Sequence, residues 1–129
     1  MIDLKQFKFI EKHKNLTEVL MDHDLASLGD AYINFIYSLA LSKKKGKPSG
    51  AKVKGSVLAE AIKQTDLRQN MPSRISRHTM ADAAEALAVY AWLHNYITLE
   101  ECVEILYQSE DGVEGFIELF QAIKKRIKL

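Results

Sequence analysis

Several features are scarce in this 129-residue sequence, and each scarcity excludes a class of protein. The single cysteine, Cys102, excludes an internal disulfide bond and any zinc site built from several cysteines. No apolar run is long enough to cross a bilayer, and the lysines among the first residues are not typical of a signal peptide. We therefore expect a cytoplasmic domain, residues 1–129, that buries a core of its own. Cys102 lies at an apolar position of a helical pattern and is expected in that core.

Strand patterns are also missing, because no segment alternates convincingly between apolar and polar residues, and no internal repeat is visible. Apolar residues recur instead at spacings of three and four, which predicts an all-α fold of six or seven helices. Two of these helices are expected to be central. One, from about Asp24 to Leu41, is apolar almost all round. The other is rich in alanine and runs from Ile75 or Arg77 to about Tyr96.

The remaining helices and connections are predicted from apolar spacing, caps and turn residues. Thr98 and Glu101 form the sequence signature of a capping box, and Asp111 is expected to start the last helix. Residues 42–55 are rich in Lys, Gly, Pro and Ser, so we expect a mobile connector there. The other segments are a weakly patterned helix over 2–14, short helices over 16–21 and 56–64, and an irregular stretch over 65–77.

The net charge is only +1, but the charges are unevenly distributed. There is no acidic residue from Ala31 to Ala59, and this stretch contains many lysines. Clustered positive charge is the footprint expected of a nucleic-acid-binding protein, whereas solvated loops and helix ends give a simpler explanation. The residues that we predict to contact nucleic acid are Lys43, Lys44, Lys45, Lys47, Lys52, Lys54, Arg74 and Arg77.

Three carboxylates stand in stretches that otherwise look like buried helix. Asp30 follows Gly29 in the first central helix, and Asp82 and Glu85 lie three residues apart on one face of the second. A carboxylate on an apolar helix face is costly unless it is paired, hydrogen-bonded or bound to a metal ion. If the two helices pack side by side, the three acids meet and form a site for a hard divalent cation. Such an ion can activate water for phosphodiester hydrolysis.

Other interpretations of the acids remain open from the sequence. They can serve as a structural metal site or as a cluster of salt bridges, with Arg74 or Arg77 as the partner. The adjacent pair His23–Asp24 is of the kind seen in helical HD phosphohydrolases, which would also require His13 and Asp82 as ligands. The chain can also be an oligomerisation domain without any chemistry.

Two motifs carry a resemblance to a known family. Residues 23–30 read HDLASLGD, and residues 82–87 read DAAEAL. They resemble the ribonuclease III catalytic domain, which carries E-x-x-E-F-L-G-D on one helix and D-x-x-E-A-L on a later one. Order, spacing and helical context agree from about residue 23 to residue 106. The resemblance implies an all-helical homodimer that binds double-stranded RNA in a groove across the dimer and cleaves it with Mg²⁺.

The resemblance assigns metal binding to Asp30, Asp82 and Glu85, with Asp30 and Glu85 as the catalytic acids. Two further family glutamates are replaced, the first by His23 and the second by Ala26. An imidazole suits Mn²⁺ better than Mg²⁺, so His23 is either a substitute metal ligand or a surface histidine. The replacements favour a non-catalytic, RNA-binding or ribosome-associated relative, whereas the three retained acids favour an endoribonuclease.

We expect no second domain for double-stranded RNA, and in extent the sequence is closer to the short Mini-III type of the family. Such a domain must hold RNA by itself, through phosphates and 2′-hydroxyls. We therefore expect the basic residues to bind RNA in a salt-sensitive and sequence-tolerant way. Apolar residues around Ile33, Tyr37, Val89 and Trp92 fit either a dimer interface or the core of a monomer.

Overall fold

The computed structural model describes residues 1–129 and contains helices but no strand, which confirms the all-α prediction. Two short 3-10 helices, Leu4–Gln6 and Asp66–Asn70, lie in the connections. None of the helices combines the length and the hydropathy that a membrane span requires. The six α-helices are α1 (Leu16–Leu20), α2 (His23–Lys45), α3 (Gly55–Lys63), α4 (Arg77–Leu93), α5 (Leu99–Gln108) and α6 (Gly112–Arg126).

The core is organised around α2 and α4. Eleven of the seventeen residues of α4 are buried, so this helix is surrounded by the others. Gly29 of α2 lies against Glu85 of α4, and the ring of Tyr32 stacks on that of Trp92 with 5.2 Å between centroids. Because the residue numbers rise together along both helices, α2 and α4 run in the same direction. The other helices pack around this pair.

Gly29 allows the close approach of α2 and α4. An ideal Cβ at this position would lie 2.0 Å from the carbonyl oxygen of Glu85, so no side chain fits. Glycine costs about 1 kcal/mol relative to alanine inside a helix, and this contact explains its presence. The backbone next to Asp30 therefore lies directly against the backbone of Glu85, which places both acids at the same level of the helix pair.

Side-chain caps fix the starts of α2, α5 and α6, and a glycine fixes the end of α2. Asp22 caps α2 through a hydrogen bond from the backbone of Leu25, so His23 is the first helical residue. α2 ends at Gly46, whose φ of 72° is in the left-handed region that favours glycine. The capping box predicted at the start of α5 is present, and Asp111 caps α6 as predicted.

The prediction of a helix over residues 2–14 is wrong. This segment contains only the 3-10 turn Leu4–Gln6. Long-range hydrogen bonds replace helical ones at its start, because Asn95 accepts from the backbone N–H of Ile2 and donates to its carbonyl, each at 2.8 Å. The apolar residues of the segment pack individually against the core, so they need no common helical face.

The predicted connector over residues 42–55 begins later than expected and is fixed to the protein. α2 continues through Lys45, so three lysines of the connector are helical and lie near the negative end of the helix dipole. Beyond Gly46 the chain turns back along α2 and is hydrogen-bonded to it at several residues. Composition indicates mobility here, but these tertiary hydrogen bonds override it.

The apolar residues considered for a dimer interface belong to the core of the chain itself. Ile33 and Val89 are fully buried, and Tyr37 and Trp92 are partly buried and pack against the core. Cys102 is buried as predicted, and burial raises the pKa of its thiol to about 11. It is therefore a structural residue and not a thiolate nucleophile.

Candidate functional site

The predicted acids line one open cleft, which lies between α2, α4 and the segment before α3. The volume of the cleft is about 400 Å³. A water molecule takes up about 30 Å³ in the liquid, so the cleft has room for a hydrated ion together with a phosphate group. The charged and polar side chains that line it are His23, Ser27, Asp30, Lys52, His78, Asp82 and Glu85.

Asp30 and Glu85 lie close enough across the two helices for a hydrogen bond, which forms when one of them carries a proton. Burial, the hydrogen bond to Asp30 and the charges of Asp30 and Asp82 raise the pKa of Glu85 to about 8. Glu85 therefore carries the proton at neutral pH. No lysine or arginine forms an ion pair with either acid. The proton on Glu85 reduces the repulsion between the carboxylates, and a bound cation would reduce the same repulsion.

Asp82 is partnered by two histidines. Its Oδ2 lies 3.3 Å from Nδ1 of His23 and 3.6 Å from Nε2 of His78. His23 comes from the first turn of α2, and His78 lies one turn before Asp82 on α4. Both imidazoles are largely exposed, so they approach Asp82 from the solvent side of the cleft. His78 lies four residues before Asp82, so the two side chains are on one face of α4.

The structure brings together all four residues that were predicted to bind a metal: Asp30, Asp82, Glu85 and His23. Ala26 also lines the cleft at the position of a family glutamate and supplies no donor. As the side chains are placed, no three His, Cys, Asp or Glu residues converge to hold a metal ion. The donor chemistry nevertheless fits a divalent cation, because carboxylate oxygens without lysine or arginine partners face an open cleft. The metal-binding roles stay predictions.

The residues predicted to contact nucleic acid fall into two groups. Lys43 is paired with Glu104 at 2.8 Å, Lys44 donates to a backbone carbonyl, and Arg77 lies 4.0 Å from Glu60. Of the whole predicted set, Lys52 alone lines the cleft. The members with neither an ion-pair nor a hydrogen-bond partner for the side chain are Lys45, Lys47, Lys52, Lys54 and Arg74.

Two alternative interpretations of the acids are contradicted. His13 lies outside the cleft, with its Nε2 2.8 Å from Oδ2 of Asp22, so it does not meet Asp82 as an HD phosphohydrolase site would require. Arg74 forms no ion pair, and the only acid near Arg77 is in α3. Neither arginine therefore neutralises the acids of the cleft.

Sequence reasoning missed Asn34, which lies in the helix that was described as apolar almost all round. Its Nδ2 donates to Oδ1 of Asp30 at 3.1 Å, and its Oδ1 accepts from the backbone N–H of Val53 at 2.8 Å. Asn34 thus connects an acid of the cleft to the segment that carries Lys52. The available signal was its spacing, because a residue four positions after Asp30 lies on the same helix face.

Comparison with known protein families gives a match. A family model described as Ribonuclease III matches residues 23–128. No curated protein matches the chain. The matched range begins at the first residue of α2 and includes both helices that carry the acids.

Proposed function

Since the chain belongs to the ribonuclease III family, we propose that it is a metal-dependent endoribonuclease that hydrolyses double-stranded or structured RNA. The cleft between α2 and α4 would be its active site. The observation that supports this proposal is that Asp30, Asp82 and Glu85 line one open cleft and that none of them has a lysine or arginine partner. A purely structural cluster of acids would be expected to include such a partner.

A Mg²⁺ or Mn²⁺ ion bound in the cleft would supply a Lewis acid and lower the pKa of a bound water molecule. Asp30 and Glu85 would hold the ion from two different helices, and Glu85 would release the proton that it shares with Asp30. Asp82 would supply a third carboxylate. His23 stands where the family has a glutamate and would supply nitrogen, a donor that suits Mn²⁺.

The proposed substrate follows from the surroundings of the cleft. Lys52 lines the cleft, and Lys54 lies two residues further along the same segment, so positive charge is available there for a phosphate backbone. A-form RNA is recognised mainly by its shape, through phosphates and 2′-hydroxyls. We therefore expect binding that tolerates any sequence and weakens with salt. The lysines of residues 42–55 with neither an ion-pair nor a hydrogen-bond partner for the side chain are Lys45, Lys47, Lys52 and Lys54.

We further propose that the chain works as a homodimer. Leu28 and Phe35 are 43% and 54% exposed and lie seven residues apart on one face of α2. Phe9 adds a third exposed apolar side chain and lines the same pocket as Leu28. Aligned apolar side chains of this kind mark an association surface. Because Leu28 adjoins the acid-bearing part of α2, this surface would place the clefts of two protomers on either side of one interface.

The dimer is tested with Phe35→Glu, which we expect to be a monomer because it places a charge in the proposed interface. The side chain points to solvent in the single chain, so the melting temperature of the monomer should change little. Sedimentation velocity over a range of concentrations gives the mass. Leu129→Glu is the control, since Leu129 is 52% exposed and lies outside this face. A monomeric wild type would contradict the dimer.

The catalytic function is tested by incubating the wild type with a long double-stranded RNA, a single-stranded RNA and a DNA duplex. Each substrate is tested with Mg²⁺, with Mn²⁺ and with EDTA. We expect cleavage of double-stranded RNA with a divalent cation and none with EDTA. Activity with Mn²⁺ alone would point to His23 as a ligand, which His23→Ala would check. Binding of double-stranded RNA without cleavage in either cation would contradict the proposal.

A further inference from the structure

Lys52 is the only lysine or arginine that lines the cleft. It is exposed, and its ammonium group forms no ion pair although Asp30, Asp82 and Glu85 line the same cleft. A lysine whose role was to neutralise these acids would contact at least one of them. Its charge is therefore left available to an anion that enters the cleft.

The backbone on both sides of Lys52 is fixed to α2. The hydroxyl of Ser38 accepts a hydrogen bond from the N–H of Ala51 and donates one to its carbonyl, each at 3.0 Å. The side-chain oxygen of Asn34 accepts from the N–H of Val53 at 2.8 Å. Lys52 thus lies between two attachment points that come from consecutive turns of the same helix.

A third attachment point continues this arrangement. The hydroxyl of Ser42 accepts from the N–H of Ser49 at 2.8 Å and donates to its carbonyl at 3.0 Å. Asn34, Ser38 and Ser42 are spaced four residues apart and therefore form one stripe of α2. They hold residues 49–53, which we call the strap.

Ordering a strap of this composition is costly. Fixing the backbone of each residue costs conformational entropy, and a Gly/Pro/Ser-rich connector has no helix or sheet to offset that cost. The stripe of α2 supplies the missing hydrogen bonds. Of the side chains on the strap, Lys52 carries the charge, and the strap holds it at the cleft.

We propose that Lys52 binds a phosphate of the RNA backbone at the cleft, and that Asn34 and Ser38 are positioning residues that hold it there. The inference rests on the proposed function and deepens it. The compact charge of a lysine suits a phosphate, and it offsets the repulsion between RNA and the three carboxylates. Asn34 also donates a hydrogen bond to Asp30, so one side chain positions both the strap and an acid of the cleft.

The phosphate contact is tested first by binding, which does not depend on catalysis. In EDTA we expect Lys52→Ala to bind double-stranded RNA about tenfold more weakly, since a hydrogen bond to a charged group is worth about 1.5–3 kcal/mol. The slope of log affinity against log salt should become shallower by about 0.7–0.9, the value for one phosphate. Lys63→Ala is the control, because it removes an equal charge from the exposed end of α3 and should bind as the wild type does. Equal losses in both variants would overturn the assignment.

Steady-state cleavage tests whether the contact lies at the reacting phosphate. Lys52→Ala is expected to lower kcat about tenfold as well as raising KM, because the contact aligns the phosphate with the acids. Lys63→Ala should change neither. An unchanged kcat in Lys52→Ala would show that Lys52 does not contact the reacting phosphate.

The positioning role is tested with Ser38→Ala, which contacts none of the acids. We expect it to lower kcat several-fold in the wild type and to have little further effect when combined with Lys52→Ala, because both changes remove one interaction. Ser42→Ala removes a similar attachment three residues from Lys52 and should matter less. Independent losses in the double variant would overturn the positioning role. Melting curves confirm that each variant is folded.

These outcomes separate the two proposals. A wild type that cleaves no RNA overturns the proposed function, and the binding comparison in EDTA still decides whether Lys52 contacts phosphate. A wild type that cleaves, together with Lys52→Ala that binds and cleaves equally well, overturns only the assignment of Lys52.

Discussion

Gly29→Ala is expected both to destabilise the protein and to reduce cleavage of RNA at the cleft. The new Cβ would lie 2.0 Å from the carbonyl oxygen of Glu85, so α2 and α4 must separate where the acids meet. Overpacking of this kind costs about 1–3 kcal/mol, and contact with backbone places it at the upper end. Alanine returns about 1 kcal/mol of helix propensity, which leaves a net loss of about 2 kcal/mol. Thermal and urea unfolding measure this loss.

The same substitution should lower cleavage of double-stranded RNA about 100-fold, since a displacement of about 1 Å in an active site can have that effect. Gly112→Ala is the matched control, because it also places alanine in a helix but its Cβ would meet only Val57 at 3.9 Å. We expect the control to be as stable as the wild type or slightly more so. A Gly29→Ala variant with wild-type stability and activity would contradict the packing of α2 on α4.

Glu85→Gln is expected to raise stability while it lowers activity. Glutamine resembles the protonated glutamic acid, so it keeps a hydrogen bond to Asp30 without adding a negative charge. Cleavage should fall by about 100-fold or more, because even an outer partner of a metal ligand is typically worth 10–100-fold. An active Glu85→Gln variant would contradict the role of Glu85 at the cleft.

The gain in stability depends on pH in a defined direction. The pKa of Glu85 is raised from 4.5 to about 8 on folding, so between these values the folded wild type holds a proton that the unfolded chain has lost. The stability of the wild type therefore falls as pH rises from 4.5 to 8, and Glu85→Gln lacks this decline. Because Glu85 is half-buried and solvent screens part of the repulsion, we expect a difference of about 1–2 kcal/mol.

The difference is measured by urea unfolding in EDTA at pH 4.5 and at pH 8.5. The two proteins should be of similar stability at the lower pH, and the variant should be the more stable one at the higher pH. Glu118→Gln removes a carboxylate from the exposed side of α6 and should follow the wild type at both values. A variant that loses stability relative to the wild type as the pH rises would show that Glu85 is not held among like charges.

The acids could be identified from the sequence because charge on an apolar helix face is costly. Asp30, Asp82 and Glu85 each stand out for that reason. Their order and spacing also carry the resemblance to the family that the chain belongs to. Local signals were also sufficient to predict the six α-helices, since a cap such as Asp111 lies next to the helix that it begins.

The strap and the N-terminal segment could not be predicted in the same way. Asn34 and Asn95 hold backbone groups that are 19 and 93 residues away in the sequence, and such contacts leave no period in the chain. Composition alone indicated a mobile connector around Lys52, although the side chains that fix it lie on α2. The pairing of Lys43 with Glu104 is also long-range, and it engages a lysine that charge clustering assigned to nucleic acid.

We propose above that the protein cleaves RNA at the cleft that contains Asp30. The most direct measurement compares the wild type with Asp30→Asn on one end-labelled double-stranded RNA, with Mg²⁺ and with Mn²⁺, under conditions in which both proteins bind the RNA. The substitution keeps the size of the side chain and removes its charge. We predict cleavage by the wild type and a rate at least about 100-fold lower for Asp30→Asn, as expected when a ligand of a catalytic metal is lost. Cleavage by Asp30→Asn at the rate of the wild type would show that the active site is not this cleft.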